Sequence, residues 1–154
     1  MLVITEEEVI KLLPMNECVD VIDRLFQDTG SGYTNNMSRY RLPIPGGTHQ
    51  IMAGMSTAFG GTGLKTYVIG GGSRVPNMLV LLYDLESAQP LALLSANALG
   101  AIRTGAASGV ASKYMAKETA STVGIIGTGS QAKTQLSAIC CVRPIKSALV
   151  FSRN

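Results

Sequence analysis

Apolar and polar positions alternate with a period that changes along the chain, and each change predicts a different element. Thr5-Glu-Glu-Glu8 has the form of a capping box, and Val9, Ile10, Leu12 and Leu13 follow it, which predicts a short helix ended by Pro14. Cys18, Val21, Ile22, Leu25 and Phe26 recur at helical spacing, which predicts a second helix from near Asn16 to Gly30 with its apolar stripe in the core. Beyond Met37 the runs shorten and are broken by Gly and Pro. They predict strands at residues 39–44, 50–56, 64–69, 77–84 and 91–94, the last two joined by a turn around Glu86-Ser87-Ala88-Gln89. Together these strands describe an antiparallel or mixed sheet whose one face the two helices can cover.

Helical spacing returns over residues 97–117. There Ala107, Val110, Ala111, Tyr114 and Met115 share one side, and Thr104, Ser108 and Ser112 line another. So many small residues allow another element to approach closely, and the helix is expected to be a packing hub. Polar Lys117-Glu-Thr-Ala-Ser121 marks a domain boundary. A strand (122–126), a Gly turn, a helix (130 to about 142, with Ala132, Leu136, Ile139 and Cys140 on one face), a turn at Pro144 and a strand (147–151) then make one β-α-β unit. The predicted class is α/β: an α+β domain over residues 1–118, then the opening unit of a doubly wound domain over 119–154. Such a sheet needs further strands and helices, so the reading expects a fragment, or a product that requires a partner piece.

Composition narrows this picture. Of 154 residues, 46% are apolar and 15% charged, a globular balance with room for one substantial core or a core and part of another. The net charge of +3 comes from scattered Lys and Arg, which gives no argument for nucleic acid or an anionic membrane surface. Cys18, Cys140 and Cys141 have no metal-ligand spacing and read as small core residues of a reducing compartment. The N-terminus turns acidic where a signal peptide is basic, and no apolar run reaches membrane-spanning length, so a cytoplasmic protein is expected. His49, in Gly-Gly-Thr-His, reads as a surface or turn residue, and no metal site is expected. Gly70-Gly71-Gly72 matches a phosphate loop in composition only, and reads as a flexible connection.

The chemistry gathers around Gly127-Thr-Gly-Ser-Gln-Ala132. An apolar strand runs into a Gly-x-Gly turn and then an amphipathic helix, the order found at dinucleotide phosphate sites. Gly127 allows the tight turn, Gly129 lets backbone N–H groups reach a pyrophosphate, and Ala132 permits close helix packing. The helix N-terminus then faces the anion. An NAD-specific site usually carries Asp or Glu about twenty residues past the loop. Here Ser152-Arg153-Asn154 stands there, which favours NADP(H) over NAD(H), unless Arg153 merely faces solvent or the acid lies further on. Upstream, Arg39 and Arg41 share a strand, Lys65 lies on a later one, and Arg103 opens the small-residue helix. Either some of these cations converge on an anion such as a carboxylate, or each snorkels to solvent.

The string Ala101-Ile-Arg103-Thr104-Gly105-Ala-Ala-Ser-Gly109, followed by Gly127-x-Gly-x-Gln131-Ala132, resembles the ornithine cyclodeaminase/mu-crystallin family. Arg39-x-x-x-Pro43 and Gly63-x-Lys65 stand in the matching order, so the resemblance covers the whole chain and about the first half of a full-length member. It implies a sheet-containing substrate and dimerisation domain followed by a Rossmann domain that binds NAD(H) or NADP(H). It assigns Arg39, Lys65 and Arg103 to the substrate's α-carboxylate, with Arg41 a rival to Arg39 and Lys65 also given the catalytic role. Thr104 would lie near the substrate or nicotinamide, and Gly127, Thr128, Gly129, Ser130, Gln131 and Arg153 would line the cofactor. The implied activity is hydride transfer at Cα of an amino acid or cyclic imino acid, as cyclodeaminase, ketimine reductase or dehydrogenase, in a homodimer. The family's catalytic aspartate has no counterpart in this chain. That leaves a second expectation, a non-catalytic dimerising or nucleotide-binding fragment of crystallin type.

Overall fold

The computed structural model describes residues 1–70 and 77–153. Its elements in chain order are β1 (Leu2–Ile4), α1 (Glu6–Leu12), α2 (Met15–Gly30), β2 (Thr34–Asn36), β3 (Tyr40–Ile44), β4 (Gly47–Ser56) and β5 (Gly61–Gly70). There follow β6 (Leu79–Asp84), β7 (Pro90–Ser95), α3 (Asn97–Met115), β8 (Thr122–Ile126), α4 (Ala132–Val142) and β9 (Ser147–Phe151). This is the α/β class expected. The chain forms two compact units, one of Met1–Leu12 with Leu25–Leu99 and one of Leu13–Arg24 with Gly100–Asn154. The polar link at 117–121 lies within the second. Gly71 and Gly72 of the triple-glycine run lie outside the described residues.

The first unit is built on a seven-stranded sheet in the order β1-β7-β6-β5-β4-β2, with β3 also paired to β4. Only β1 joins in parallel, to β7, and every other pairing is antiparallel. The capping box is formed: Glu8 Oε2 accepts the Thr5 N–H at 2.9 Å and Thr5 Oγ1 accepts the Glu8 N–H at 3.3 Å. The β6–β7 turn is held by Asp84, whose Oδ1 accepts from Ser87 N–H at 2.7 Å and Ser87 Oγ at 2.6 Å. Those bonds hold the Asp84 carboxyl below its ordinary range. His49 is not in a turn, since the Gly-Gly-Thr-His segment begins β4, and its half-buried ring bonds Thr66 Oγ1 at 2.5 Å.

In the second unit β8 and β9 pair in parallel, Thr122 opposite Ser147 through Ile126 opposite Phe151, with α4 as the crossover. The core gathers Cys18 and Val19 of α2, Ala106 and Val110 of α3 and Ala138 of α4. Small residues on α3 make this possible, as their composition predicts. A Cβ on Gly105 would sit 2.5 Å from the Thr134 carbonyl oxygen, and one on Gly109 would sit 3.1 Å from Ala138 Cβ. Arg143 closes the other end of α3, its Nη2 donating to the carbonyls of Lys113 at 2.6 Å and Ala116 at 2.8 Å. A cation on the last carbonyls satisfies acceptors that the helix cannot. Among the described residues no helix is long and apolar enough to cross a membrane.

Candidate functional site

The loop after β8 is shaped by its first glycine. Gly127 has φ +97°, a left-handed conformation that side chains rarely adopt. Its N–H donates to the Phe151 carbonyl at 2.7 Å, extending the β8–β9 pairing by one bond, and Thr128 Oγ1 donates to Ser152 Oγ at 3.2 Å. The chain then turns, with the Ala132 N–H on the Gly129 carbonyl at 3.0 Å, into α4. Gln131 occupies the N-cap position but makes no side-chain cap bond. Gln131 therefore supplies no side-chain acceptor to the first N–H groups of α4, and the helix dipole favours an anion there.

Among the described residues, chain neighbours aside, nothing lies within 4 Å of where a Cβ on Gly127 or Gly129 would stand. An open cleft of about 570 Å³ covers this corner, lined by Ile126, Gly127, Thr128, Gly129, Phe151, Ser152 and Arg153. Four of the residues assigned to the cofactor thus share one cleft. Ser130 and Gln131 are exposed on the turn beside it.

The cations of the first unit separate on inspection of register. Arg39 precedes β3, so it stands off the ladder on which the sequence places it. Arg41 is on β3 opposite Gln50 of β4, and Gln50 is opposite Tyr67 of β5. Lys65, two residues before Tyr67, is opposite Met52 of β4 and Val80 of β6. Directly paired residues, and residues two apart on one strand, project from the same face of a sheet. Arg41, Gln50, Lys65 and Tyr67 therefore share one face. Lys65 Nζ lies 5.3 Å from the Tyr67 ring centroid, within cation–π range.

Arg103 and Thr104 belong to α3 in the second unit. Arg103 is exposed; burial pushes the Cys18 thiol pKa up, and the Arg103 charge offsets part of that rise. Thr104 Oγ1 donates back to the Gly100 carbonyl at 2.6 Å, which commits its proton to the helix. Gln50 and Tyr67 were not among the expected site residues. A glutamine directly before the apolar run Ile51-Met52-Ala53 of β4 is the signal that marks the first. Among the described residues no group of three His, Cys, Asp or Glu side chains is placed to hold a metal ion.

Known proteins resemble this chain over its whole length. The model of the ornithine cyclodeaminase/mu-crystallin family matches residues 1–154. The chain is 36% identical to Delta(1)-pyrroline-2-carboxylate reductase of Bacillus cereus, in an alignment that covers 100% of this chain and 50% of that protein. The structure of the reductase of that name from Thermococcus litoralis, in complex with NADH and L-proline, superposes with a TM-score of 0.90 at 33% identity, covering 100% of this chain and 50% of that one. An archaeal alanine dehydrogenase dimer with bound NAD gives 0.91 at 30%, covering 99% and 48%. The chain spans about half the length of the curated relatives it matches. On the strength of the whole-length match and of the loop and helix motifs that preceded it, the chain belongs to the ornithine cyclodeaminase/mu-crystallin family.

Proposed function

We propose that this chain is the N-terminal portion of an NAD(P)-dependent enzyme that acts at Cα of an amino acid or cyclic imino acid by hydride transfer. The observation that carries the reading is the Gly127 turn. A parallel strand, a left-handed glycine and an uncapped helix N-terminus meet at an open cleft. A dinucleotide fits there, because the two glycines leave clear the space that side chains would fill. Gly127, Thr128 and Gly129 would hold the pyrophosphate through main-chain N–H groups, with Ser130 and Gln131 at the entry to α4. When bound, the nicotinamide supplies or accepts the hydride.

The rest falls to the chain. Arg41 and Lys65, on one sheet face, are the pair we assign to the α-carboxylate, the guanidinium as a two-pronged donor and the ammonium as a point charge. Holding the carboxylate fixes the position of Cα, which lowers the entropic part of the barrier. Arg39, off the ladder, is then the weaker claimant, and Arg103 with Thr104 keeps the substrate role that the family resemblance implies. Arg153 lines the cleft, and no acid is among the described residues that line it with Arg153, which supports NADP(H) over NAD(H). Cyclic imino acids lead the substrate class because the reductases of Bacillus and Thermococcus are named for one. Alanine dehydrogenase keeps small amino acids within it, and its dimer supports a homodimer here. A cytoplasmic location suits such metabolites.

Titration of the chain with NADPH and with NADH, followed by nicotinamide fluorescence, tests the reading. Saturable binding with NADPH the tighter is expected. No binding of either, from a chain that sediments as a stable dimer, overturns it in favour of the non-catalytic reading.

A further inference from the structure

The sheet face that carries Arg41 and Lys65 also holds a polar group left incomplete. Gln50 is 3% exposed. Its Nε2 donates to Thr48 Oγ1 at 2.8 Å, while its Oε1 has no hydrogen-bond partner among the described residues. Buried amide oxygens in folded proteins are nearly always satisfied, because leaving one bare forfeits the bonds it made to water. Gln50 lies opposite Arg41 on one side and Tyr67 on the other, with Lys65 diagonal to it on the same face. An acceptor that lacks a donor therefore sits beside two cations suited to an anion. A ligand that meets the cations and the amide oxygen together carries a carboxylate and, close to it, an N–H group.

We propose that Gln50 is a specificity-determining residue whose Oε1 accepts a hydrogen bond from the nitrogen on the substrate's Cα, so that the site selects amino and imino acids over other carboxylates. This rests on the carboxylate assignment made above and deepens it. Arg41 and Lys65 recognise the acid, and Gln50 recognises the nitrogen. For a cyclic imine the same bond favours the protonated form, whose Cα is the better hydride acceptor.

Two ring acids separate the two parts. L-Proline and cyclopentanecarboxylate share a carboxylate and a five-membered ring, and only proline has the N–H. Calorimetric binding of each is measured to the wild-type chain, to Gln50→Met, which removes the acceptor, to Gln50→Glu, which keeps an acceptor oxygen, and to Lys65→Ala. The expected result is that Gln50→Met weakens proline by about tenfold or more and leaves cyclopentanecarboxylate unchanged. Gln50→Glu keeps the preference for proline, and Lys65→Ala weakens both acids. Equal effects of Gln50→Met on the two acids overturn the role of Gln50 while leaving the carboxylate assignment standing. If Gln50→Met does not fold, loss of the preference in a folded Gln50→Glu overturns it equally. Failure of the wild-type chain to bind either acid overturns the carboxylate assignment and the proposal together.

Discussion

The carboxylate of Glu6 accepts the backbone N–H of Asn97 and that of Ala98, each at 2.8 Å, so the first residue of α1 caps the start of α3 across 91 positions of sequence. Asn97 in turn accepts the Met78 N–H at 3.1 Å through Oδ1, which ties the approach to β6 into the same junction. Two orphan donors of a helix N-terminus are thus satisfied by one charged group, with the helix dipole adding to the attraction. Glu6→Ala is expected to cost about 1–2 kcal/mol, read as a lower urea midpoint. An unchanged midpoint would show that water replaces the cap without loss.

The close approach of α3 and α4 yields a sharper contrast. Gly105→Ala sets a methyl group against the backbone of Thr134, which cannot rotate away, and is expected to destabilise by roughly 1–3 kcal/mol. Gly124→Ala, on β8, meets nothing within 4 Å and is expected to be neutral within about 0.5 kcal/mol. Thermal unfolding of the two variants side by side checks the ranking. Equal effects would mean that the helices separate to admit the methyl.

A pH dependence follows from Asp23, which is 6% exposed and accepts from Lys113 Nζ at 2.7 Å and Tyr114 Oη at 2.9 Å. The hydrogen bond and charge of Asp23 raise the Lys113 pKa, with smaller contributions in the same direction from Tyr114 and Asp20. A pKa raised by folding stabilises fully below the unfolded value, about 10.4 for Lys, and that stabilisation is lost as pH rises through the folded value. The urea midpoint should therefore fall above about pH 10. Lys113→Met should lower it near neutral pH and flatten that part of the alkaline fall. The same alkaline fall in both proteins would exclude Lys113 as its source.

Strong local signals made part of this architecture legible before any coordinates. The Thr5–Glu8 capping box, the apolar stripe of α2 and the β8-α4-β9 unit depend on residues close in sequence, and both Rossmann strands have the bounds that the sequence predicts. β1 and β2 were not legible. Leu2–Ile4 is three residues long and exists by pairing with Ala92–Leu94, while Thr34-Asn-Asn36 has the composition of a turn and is a strand only because β4 is beside it. Both β4 and β5 begin three residues before the positions that the sequence predicts, 50 and 64, and take in Gly47, Gly61 and Gly63. In the candidate site, Lys65 and the loop glycines could be assigned from motifs. The proposed choice of Arg41 and the proposed role of Gln50 rest on the cross-strand register, which no local pattern encodes.

Gly129→Asp tests, with little risk to the fold, whether the corner at Gly127–Gly129 binds a nicotinamide dinucleotide as proposed. Gly129 has no left-handed φ and nothing near its Cβ position, so the new side chain costs little in stability and sets a negative charge where the phosphates are proposed to lie. The measurement is calorimetric titration of NADPH into wild type and Gly129→Asp, with circular dichroism to verify that both are folded. Saturable binding to wild type and a loss of about a hundredfold or more in the folded variant are expected. Equal affinity in the two folded proteins would contradict the proposed binding.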